Sequence, residues 1–452
     1  MCSRHVHGIG QETGSDKKEE GLSSRPRFTP RSVPGGLEPR GSDPERSPVL
    51  VLGSGITAVG VVRALGRARI PLHVISAHPG PVRASRWYRG PPHGEALSDV
   101  SQLADYLRTL PVERAVLMAT SDHGALAAAT LPPELAERFP ASQAPASLLP
   151  DIIDKERLRG LLDEHGVPRP RTFTVDGPDA VDSLADEELE HLFIKPRDSQ
   201  DFNRRLRVKA LRPSGRAELR AALRWVEAEQ LSVVLQEYVP GPPTNHYFLD
   251  GFVDRHGRVR ARLARRRLRM SEPEFGNSCA TVSVPIAEAA PAVTDLERLF
   301  SAIGFRGPYD AEFKLDERTG VFNLIEINVR AWWQVEFAAL CGVDVVSMAY
   351  RDALELPVQD VLDYEVGLEW ILAYYDLAAC ARLLSTGETT LGACVRSWLR
   401  ARWGEFAADD PLPGLAQGVA LLGRVARRSA ARGRRSPQAS EPERARVPAP
   451  PR

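Results

Sequence analysis

The stretch 309–330, YDAEFKLDERTGVFNLIEINVR, constrains the fold of this chain more than any other. Two apolar-rich runs, DAEFKL and VFNLIEI, flank a polar segment that ends at Gly320, which is the pattern of a β-hairpin. Glu326 and Asn328 are two residues apart, so their side chains leave the same face of the second strand. If Glu312 pairs opposite Glu326, three oxygen donors converge.

This group of donors predicts a metal site. Two carboxylates close together among apolar neighbours repel each other and lose hydration, which is costly unless a cation is present. Oxygen donors suit Mg²⁺, which takes one or two carboxylates and fills its other positions with water and substrate phosphates. Arg330, two residues beyond Asn328, adds a positive charge suited to a phosphate oxygen. The alternative is that the hairpin has an ordinary solvated outer face.

Composition sets the broad class of the protein. The chain has 452 residues, enough for two or three domains with substantial cores. Its 59 basic and 59 acidic residues cancel, so whole-chain charge favours neither nucleic acid nor an anionic membrane as a partner. No apolar run approaches the roughly 18 residues that span a bilayer, and the N-terminus lacks the apolar core of a signal peptide. We therefore expect a soluble, cytoplasmic protein with no nucleic-acid or membrane partner.

The cysteines agree with a reducing compartment. They are five in number, widely spaced and without a CxxC pair, which favours neither a disulfide framework nor a zinc site. They are Cys2, Cys279, Cys341, Cys380 and Cys394.

Both ends of the chain are predicted to be disordered. Residues 1–47 are rich in Gly, Pro, Ser and charge and nearly free of large apolar residues. Beyond 424 the chain is again dominated by Arg, Ser, Pro and Ala. Solvation of this tail explains its arginine cluster; the alternative is contact with an acidic partner or a membrane. The cluster is Arg424, Arg427, Arg428, Arg432, Arg434 and Arg435.

The first ordered unit has the pattern of a Rossmann-type fold. A buried strand at 48–53, a glycine turn, a helix through Leu65 and a second strand at 71–76 follow one another. An NAD site would want a carboxylate at the end of the second strand, where this chain has Ser-Ala-His. Close packing of the helix on the sheet therefore explains the two glycines better than a bound dinucleotide does.

A third strand, at 115–120, is followed by Ser121 and Asp122. Ligands of open α/β sheets bind at the carboxyl ends of strands, so Asp122 is a candidate substrate contact. Helix capping by Ser121 or Asp122 explains the same residues equally well.

Two lysines stand where phosphate groups would be recognised. Lys155 lies in the first turn of a helix predicted to end at His165, an unfavourable place for a cation unless an anion binds there. The alternative is an ordinary exposed lysine. Lys195 ends a strand predicted over 191–196, and a polar loop followed by a strand over 206–211 favours a phosphate lid at this point.

Five short motifs, in this order, resemble the ATP-grasp superfamily over about 48–350. They are Asp154-Lys155, Ile194-Lys195-Pro196, Gln236-Glu237-Tyr238-Val239-Pro240-Gly241, Glu312-Phe313-Lys314 and Glu326-Ile327-Asn328-Val329-Arg330. No single motif is specific, but their joint order and spacing are. More closely, the chain resembles a group of predicted ATP-dependent carboligases and carboxylate–amine ligases. That likeness rests on Arg267-Leu268-Arg269, Phe275-Gly276-Asn277-Ser278 and Leu340-Cys341-Gly342-Val343-Asp344.

The resemblance implies a fold class of α/β and α+β type. A Rossmann-like pre-ATP-grasp domain (48–145) would precede a two-part ATP-grasp fold (146–350), in which two α+β subdomains clasp ATP and the lid subdomain covers about 170–240. A helical C-terminal extension (351–423) would follow, and the tails 1–47 and 424–452 would be disordered.

The resemblance also assigns roles to matching residues. Lys155 and Lys195 would hold ATP phosphates, while a hinge would meet the adenine through Gln236, Glu237, Tyr238 and Val239. The ligands of Mg²⁺ would be Glu312, Glu326 and Asn328. Arg330 would face the transferred phosphoryl group, and Arg267 and Arg269 would bind phosphate or a substrate carboxylate. Many relatives have glycines in the loop after the second lysine. Here 197–205 has none, so polar side chains such as Ser199 would replace them.

These roles imply an ADP-forming ligase. With ATP and Mg²⁺ it would activate a small-molecule carboxylate as an acyl phosphate and join it to an amine, and neither a Ser-His nor a Cys-His nucleophile is required. Trp332 and Trp333 are either core or a platform for substrate. The identities of both substrates and a homodimeric state are left open. Two alternatives are an NAD-dependent oxidoreductase and a catalytically silent nucleotide-binding protein.

Overall fold

The structure is a computed structural model that describes residues 47–189, 191–197, 202, 205–206 and 208–433, with side chains described up to Gly423. Ser199, most of the loop 197–205 and nearly all of the predicted N-terminal tail lie outside the described residues. Within the described ranges no helix has the length and apolar character needed to cross a membrane.

The first unit is a three-stranded parallel sheet in the order β2-β1-β3. Its strands are β1 (Val49–Leu52), β2 (Leu72–Val74) and β3 (Val116–Ala119), and its helices are α1 (Gly55–Arg67), α2 (Leu103–Thr109), α3 (Asp122–Ala129) and α4 (Pro133–Arg138). Alternate residues of β1 pack into two different cores, one with α1 and one with α2 and α4. All of β1 is therefore buried, as its Val-Leu-Val-Leu sequence requires.

The glycine turn after β1 has a packing reason. Gly53 has a φ of +143°, which residues with a side chain rarely adopt, and a Cβ there would overlap the hydroxyl of Thr120. Close packing therefore accounts for Gly53 without a bound dinucleotide.

A smaller antiparallel sheet has the order β4-β6-β5. The chain reaches it through α5 (Leu149–Ile153) and α6 (Lys155–Glu164), and its elements are β4 (Thr172–Thr174), α7 (Asp186–Leu189), β5 (Leu192–Pro196), α8 (Arg216–Ala228) and β6 (Val233–Glu237). Leu219 and Leu223 of α8 pack on Ile194 and Leu235 of the sheet. The strand β5 lies at the edge, as its terminal proline predicted.

The strand predicted over 206–211 is wrong. Among the described residues of that segment, Leu211 alone pairs with β5, through a bridge to Ile194. Lys209 of this segment is directed to Asn277, to which its ammonium donates a hydrogen bond.

The largest sheet has seven strands in the order β11-β10-β7-β8-β9-β12-β13. They are β7 (His246–Val253), β8 (Val259–Met270), β9 (Ser278–Val284), β10 (Gly307–Leu315), β11 (Phe322–Asn328), β12 (Glu369–Ile371) and β13 (Arg402–Trp403). The remaining helices are α9 (Ala290–Ile303), α10 (Val335–Leu340), α11 (Val345–Ala353), α12 (Ala373–Ser385), α13 (Leu391–Arg400) and α14 (Leu412–Gly433). The predicted hairpin is β10 and β11, and Glu312 lies opposite Glu326 as expected.

The C-terminal part of the chain differs from its prediction in two ways. It is not purely helical, because β12 and β13 extend the large sheet beyond β9. The helix α14 also continues to Gly433, past Arg424, where a disordered tail was predicted. Ala, Leu and Arg are strong helix formers and no proline interrupts 414–433, so propensity outweighs the low apolar content of this segment.

A buried arginine joins the first unit to the C-terminal part of the chain. Arg63 on α1 is fully buried and donates to the carboxylates of Glu336 and Asp410. It also donates to the carbonyl oxygens of Gly404, Glu405 and Asp410. These partners lie at least 273 positions away along the chain. The full set of bonds offsets the cost of burying the charge.

Replacement of Arg63 should therefore be strongly destabilising. We expect Arg63→Ala to lower the free energy of unfolding by about 3–5 kcal/mol, since Asp410 keeps a buried charge without its ion-pair partner and Glu336 keeps only its pair with Arg67. Arg67, one turn later, is a matched control, because its side chain is 31% exposed although it pairs with Glu336 and Asp409. Arg67→Ala should cost about 1 kcal/mol or less. Urea denaturation measures both; equal losses would contradict this account of the junction.

Glu405 belongs to the same junction. Its carboxylate accepts hydrogen bonds from the backbone N–H groups of Ala373 and Tyr374 at the start of α12. Burial raises the pKa of this carboxyl from 4.5 to about 7, although those N–H groups and Arg63 oppose the rise.

The raised pKa predicts a pH dependence of stability. Between about pH 4.5 and 7 the folded protein keeps a proton on Glu405 that the unfolded chain has released, so stability falls as the pH rises through this window. We expect this group to lower the free energy of unfolding by up to about 3 kcal/mol. Glu405→Gln cannot titrate and should lose that part of the decline. Urea denaturation at pH 5 and pH 8 tests this, and identical declines in both proteins would rule it out.

Candidate active site

A cleft of about 410 Å³ is lined by the first unit, the small antiparallel sheet and the seven-stranded sheet. It contains most of the site residues that the sequence predicted. They are Asp122, Lys155, Lys195, Gln236, Glu237, Tyr238, Val239, Arg267, Glu312, Glu326, Asn328 and Arg330. Of the two others, Arg269 is directed elsewhere and Ser199 lies outside the described residues.

Glu312 is held between two donors. Its Oε1 lies 2.6 Å from His246 Nδ1 and 2.9 Å from a guanidinium nitrogen of Arg267. Burial opposes ionisation of Glu312, but Arg267 and then His246 outweigh it and hold its pKa well below the ordinary value. Burial, with Arg267, lowers the pKa of His246 to about 4. Near neutral pH a neutral imidazole therefore donates to a carboxylate.

Glu326 is paired with the first lysine of the motif series. Lys155 is the first residue of α6, after the N-cap Asp154, and its Nζ lies 3.2 Å from Glu326 Oε2. The charge of Lys155 is the main cause that lowers the pKa of Glu326, against burial and the neighbouring Glu312. The cation that the helix dipole disfavours thus faces a carboxylate of the hairpin.

Lys195 is buried at the end of β5. Its Nζ donates to Gln236 Oε1 at 3.0 Å and to the carbonyl oxygen of Ile325 at 3.2 Å. The amide of Gln236 donates in turn to Thr172 Oγ1, so the buried glutamine has the partners it needs. Burial, together with the like charge of Lys155, lowers the pKa of Lys195 to about 8.

The hairpin supplies a donor set for a hard cation. Asn328 Nδ2 donates to Asp310 Oδ2 at 3.0 Å, so its Oδ1 is the atom left to act as a ligand. In the described ranges no group of three or more His, Cys, Asp or Glu side chains could hold a metal by itself. Two carboxylates and one amide fit Mg²⁺, which completes its shell with water and phosphate oxygens, better than they fit a structural zinc site.

The predicted hinge consists of the last two residues of β6 and the two residues that follow it. The backbone N–H groups of Glu237 and Tyr238 donate to the carbonyl oxygens of Arg171 and His191. The carboxylate of Glu237 pairs with Arg171 and Arg318, each at 3.2 Å. Both the backbone and the side chain of this residue are thus fixed by the protein at the edge of the cleft.

Three aromatic side chains form an apolar wall in the cleft. Phe193 and Phe275 have ring centroids 4.7 Å apart, and Tyr238 meets both rings edge to face. Such a wall suits a flat aromatic ligand. Phe275 and Tyr238 fell in the motifs of the sequence, but their contact with Phe193 joins segments that are far apart in the chain.

The strand β8 brings Arg267 into the cleft but not Arg269. The resemblance predicted both as ligands of phosphate or of a substrate carboxylate. A bulge shifts the register between them, so Arg267 lies opposite Thr281 but Arg269 lies opposite Ala280. Arg269 instead makes a bidentate pair with Asp376, at 2.7 and 2.9 Å, on the C-terminal side of the sheet. Arg269 therefore does not line the cleft, contrary to the prediction.

Arg330 connects the hairpin to the first unit. Its Nε lies 3.1 Å from Asp122 Oδ1. The side chain of Ser121, not that of Asp122, caps α3 by accepting from Gly124 N–H. Of the two explanations for Asp122, the structure thus favours a position facing the cleft.

A side chamber of about 160 Å³ adjoins this end of the cleft. Arg267, Arg330, Ser278 and Gln334 contribute polar groups to its wall. The two tryptophans that the sequence left open are placed differently. Trp332 is fully buried in the core and also borders the side chamber, whereas Trp333 lines both cavities and has its ring 5.3 Å from that of Tyr375.

Three basic residues of the cleft were missed as site residues. His246 contacts Glu312, Lys209 bonds to Asn277, and the ammonium of Lys314 lies 4.3 Å from the centroid of the Tyr238 ring. Burial lowers the pKa of Lys209, and burial with Arg267 lowers that of Lys314 to about 8. A signal existed for Lys314, which is two residues after Glu312 and so shares its face of β10.

A buried ion network lies behind the hairpin. Arg265 Nε is 2.8 Å from Asp250 Oδ2, and another of its nitrogens is 2.9 Å from Asp310 Oδ1. Burial raises the pKa of both aspartates, that of Asp310 most, despite the arginine between them. Since Asp310 also accepts from Asn328, this network orients the amide of the proposed metal ligand.

Comparison with known proteins finds one similar sequence and a set of similar folds. No protein-family model matches the sequence. Over 227 residues the chain is 25% identical to D-aspartate ligase of Enterococcus faecium. That alignment covers 48% of this chain and 54% of the ligase, so the match spans about half of the relative's length.

Solved structures agree over a longer stretch. Carboxyaminoimidazole ribonucleotide synthase of Aspergillus clavatus, in complex with ATP, superposes with a TM-score of 0.56 at 15% identity, over 72% of this chain and 81% of that one. The biotin carboxylase domain of the Hydrogenobacter thermophilus 2-oxoglutarate carboxylase, in complex with MgADP, ADP and bicarbonate, gives 0.56 at 16% identity, over 72% and 73%. The chain therefore has the fold of these enzymes, which is the predicted ATP-grasp fold.

Proposed function

We propose that this protein is an ADP-forming ligase that activates a small-molecule carboxylate with ATP and joins it to an amine. One observation carries the proposal. Lys155, Lys195 and Arg267 meet Glu312 and Glu326 at one end of a cleft whose other part has an aromatic wall. The basic side chains suit a polyphosphate, and the aromatic wall suits a purine.

The cations around Glu312 and Glu326 outnumber these two carboxylates. Five basic side chains line the cleft beside the two glutamates: Lys155, Lys195, Lys209, Arg267 and Lys314. Burial lowers the pKa values of Lys195, Lys209 and Lys314, which means that their charges are costly in the free protein. A triphosphate would supply the missing negative charge, with the base against Phe193, Tyr238 and Phe275.

Glu312, Glu326 and Oδ1 of Asn328 would hold Mg²⁺. When bound, the ion would neutralise phosphate charge and orient the terminal phosphoryl group. Lys155 would move from Glu326 to a phosphate oxygen, and the hydrogen bond from His246 would keep Glu312 ionised and fixed in direction.

The reaction follows the general course of phosphoryl transfer. A carboxylate oxygen of the first substrate attacks the γ-phosphorus of ATP, and the bond from that phosphorus to the β–γ bridging oxygen breaks, releasing ADP. The amine then attacks the acyl carbon of the acyl phosphate, inorganic phosphate leaves, and the nitrogen loses a proton. Arg330 and Arg267 would orient the carboxylate and stabilise charge on the transferred group, so catalysis is mainly positioning and electrostatics.

The side chamber is the proposed site for the acid and the amine. It adjoins Arg330 and Arg267 at the phosphate end of the cleft. Asp122 would bring the first unit into substrate binding through its pair with Arg330. We accordingly propose domain functions along the predicted boundaries, with 48–145 contributing to substrate recognition and 146–350 carrying the nucleotide.

Thermal unfolding with ligands tests the nucleotide and metal sites. At about 100 times its Kd, Mg-ATP should add about 2.7 kcal/mol of stability and raise the unfolding midpoint clearly. Excess chelator should weaken the shift. The double variant Glu326→Gln with Asn328→Ala should lose most of it, whereas Glu317→Gln, an exposed position of the same hairpin, should keep it.

Two outcomes of this experiment would overturn the proposal. No shift with Mg-ATP in the wild-type protein, or a shift with NAD alone, would exclude the ligase. A positive shift would be followed by screening carboxylic acids with hydroxylamine, which traps an acyl phosphate as a hydroxamate. Nucleotide binding without turnover across a broad screen would favour the catalytically silent alternative.

The aromatic wall predicts a selective loss of nucleotide affinity. Phe275→Ala removes the ring packed against Phe193, and contacts between aromatic groups contribute about 0.5–1.5 kcal/mol each. We expect the KM for ATP to rise about 3- to 10-fold with little change in kcat, because the ring is remote from the transferred group in this proposal. ADP release measured at several ATP concentrations separates the two parameters. A fall in kcat at unchanged KM would contradict the assignment of the base to this wall.

A further inference from the structure

The helix α13 exposes an apolar stripe that nothing in the described chain covers. Leu391, Val395 and Leu399 follow one another at intervals of four residues, so they share one face of the helix. Their exposed fractions are 62%, 39% and 83%. Single exposed apolar residues are normal, but a row of three on one helix face is not.

The helix α14 carries a second stripe of the same kind. Leu412, Leu415, Val419 and Leu422 lie three or four residues apart, and each is more than half exposed. Between the stripe residues, Gly414 and Gly418 are buried and lie against Phe406 and Tyr374. The apolar face is therefore turned away from the core.

Trp403 lies between α13 and α14 in the sequence. Its indole N–H donates to the carbonyl oxygen of Trp398 on α13, and its ring is 6.2 Å from Phe406, next to the start of α14. The indole is 41% exposed. We call the whole set the C-terminal ridge. It consists of Leu391, Val395, Leu399, Trp403, Leu412, Leu415, Val419 and Leu422.

Positive charge accompanies the ridge. Arg396, Arg400 and Arg402 are exposed, and none of the ion pairs found in the described part of the chain involves them. Six more arginines follow between 424 and 435. The cancellation of charge over the whole chain hides this local excess.

Acidic side chains do not offset this charge. The segment 389–435 has three, and each is already engaged. Glu405 is buried at the start of α12, Asp409 pairs with Arg67, and Asp410 is buried against Arg63.

Of the surfaces that could cover the ridge, an anionic lipid bilayer fits best. Helices with leucine on one face and arginine on the other lie at the boundary between headgroups and acyl chains, and indole rings favour the same depth. A second copy of the chain would bring two arginine-rich surfaces together. A nucleic acid would match the arginines but not the leucine stripes. Because a bilayer is fluid, it can cover two separate apolar stripes without having a groove of matching shape.

We propose that the C-terminal ridge binds the surface of an anionic lipid bilayer. The leucines and Trp403 enter the headgroup region, and Arg396, Arg400 and Arg402 contact lipid phosphates; none of the described helices crosses the membrane. This surface contact revises the expectation, drawn from net charge, that a membrane is not a partner.

Sedimentation of the full-length protein with vesicles tests the proposal. We expect binding to vesicles of phosphatidylcholine and phosphatidylglycerol (7:3) at least about tenfold tighter than to phosphatidylcholine alone, since each arginine near an anionic surface contributes to attraction. The difference should shrink as salt rises, because the charges are exposed.

Matched variants separate the two contributions. The first variant should weaken binding about tenfold or more; it combines Leu412→Gln, Leu415→Gln, Val419→Gln and Leu422→Gln. The second variant should remove the preference for anionic lipid; it combines Arg396→Gln, Arg400→Gln and Arg402→Gln. The control for the stripe is Val321→Gln with Leu362→Gln and Val366→Gln, which are exposed apolar positions elsewhere. The control for charge is Arg83→Gln with Arg224→Gln and Arg306→Gln. Unfolding midpoints verify that every variant folds.

Three results would overturn the proposal. The first is no binding to either vesicle. The second is equal loss in ridge and control variants. The third is self-association, measured by light scattering, that depends on the α14 stripe while vesicles recruit nothing, which would assign the ridge to a second copy of the chain.

Discussion

The pairing of Arg265 with Asp250 and Asp310 fixes the centre of the large sheet. Asp250 and Asp310 lie directly opposite each other on β7 and β10, where two carboxylates would repel without the guanidinium from β8. Asn328 on β11 then binds Asp310. Because a slip of one residue would send every side chain of β11 to the other face, this polar contact across four neighbouring strands also fixes where Glu326 and Asn328 point.

The parts of the site that sequence reasoning recovered depend on local geometry. Glu312 and Glu326 are joined by a short turn, so the alternation of two adjacent strands is enough to place them together. The parts of the site that were not predicted depend on irregularities within a strand or on contacts between residues far apart in the sequence. The bulge that separates Arg267 from Arg269 has no glycine or proline to mark it, and the contact of Lys209 with Asn277 joins positions 68 residues apart. The sequence pattern can predict contacts between such positions only when the order of the strands in the sheet is known.

In the C-terminal part, the sequence predicted helices but not their orientation. Its periodic apolar residues predicted helices, and α12, α13 and α14 are present. Periodicity does not tell which side of a helix the body of the protein covers. That is decided by buried ion pairs, since Arg269 with Asp376 and Arg63 with Asp410 attach this segment to the sheet and to α1. These attachments orient the helices so that leucine stripes are left outside.

The charge of the cleft links its stability to the ligand it would take. Lys195, Lys209 and Lys314 all have their pKa lowered by burial, so the free cleft holds like charges at a cost that the two glutamates offset only in part. Exposed lysines would avoid that cost, but water and salt would screen them from a phosphate. Burying them keeps their attraction for a polyanion strong. An equal number of carboxylates would stabilise the free protein further and leave little reason for a triphosphate to bind. The excess of buried cations over carboxylates is thus unfavourable for folding alone and favourable for nucleotide binding.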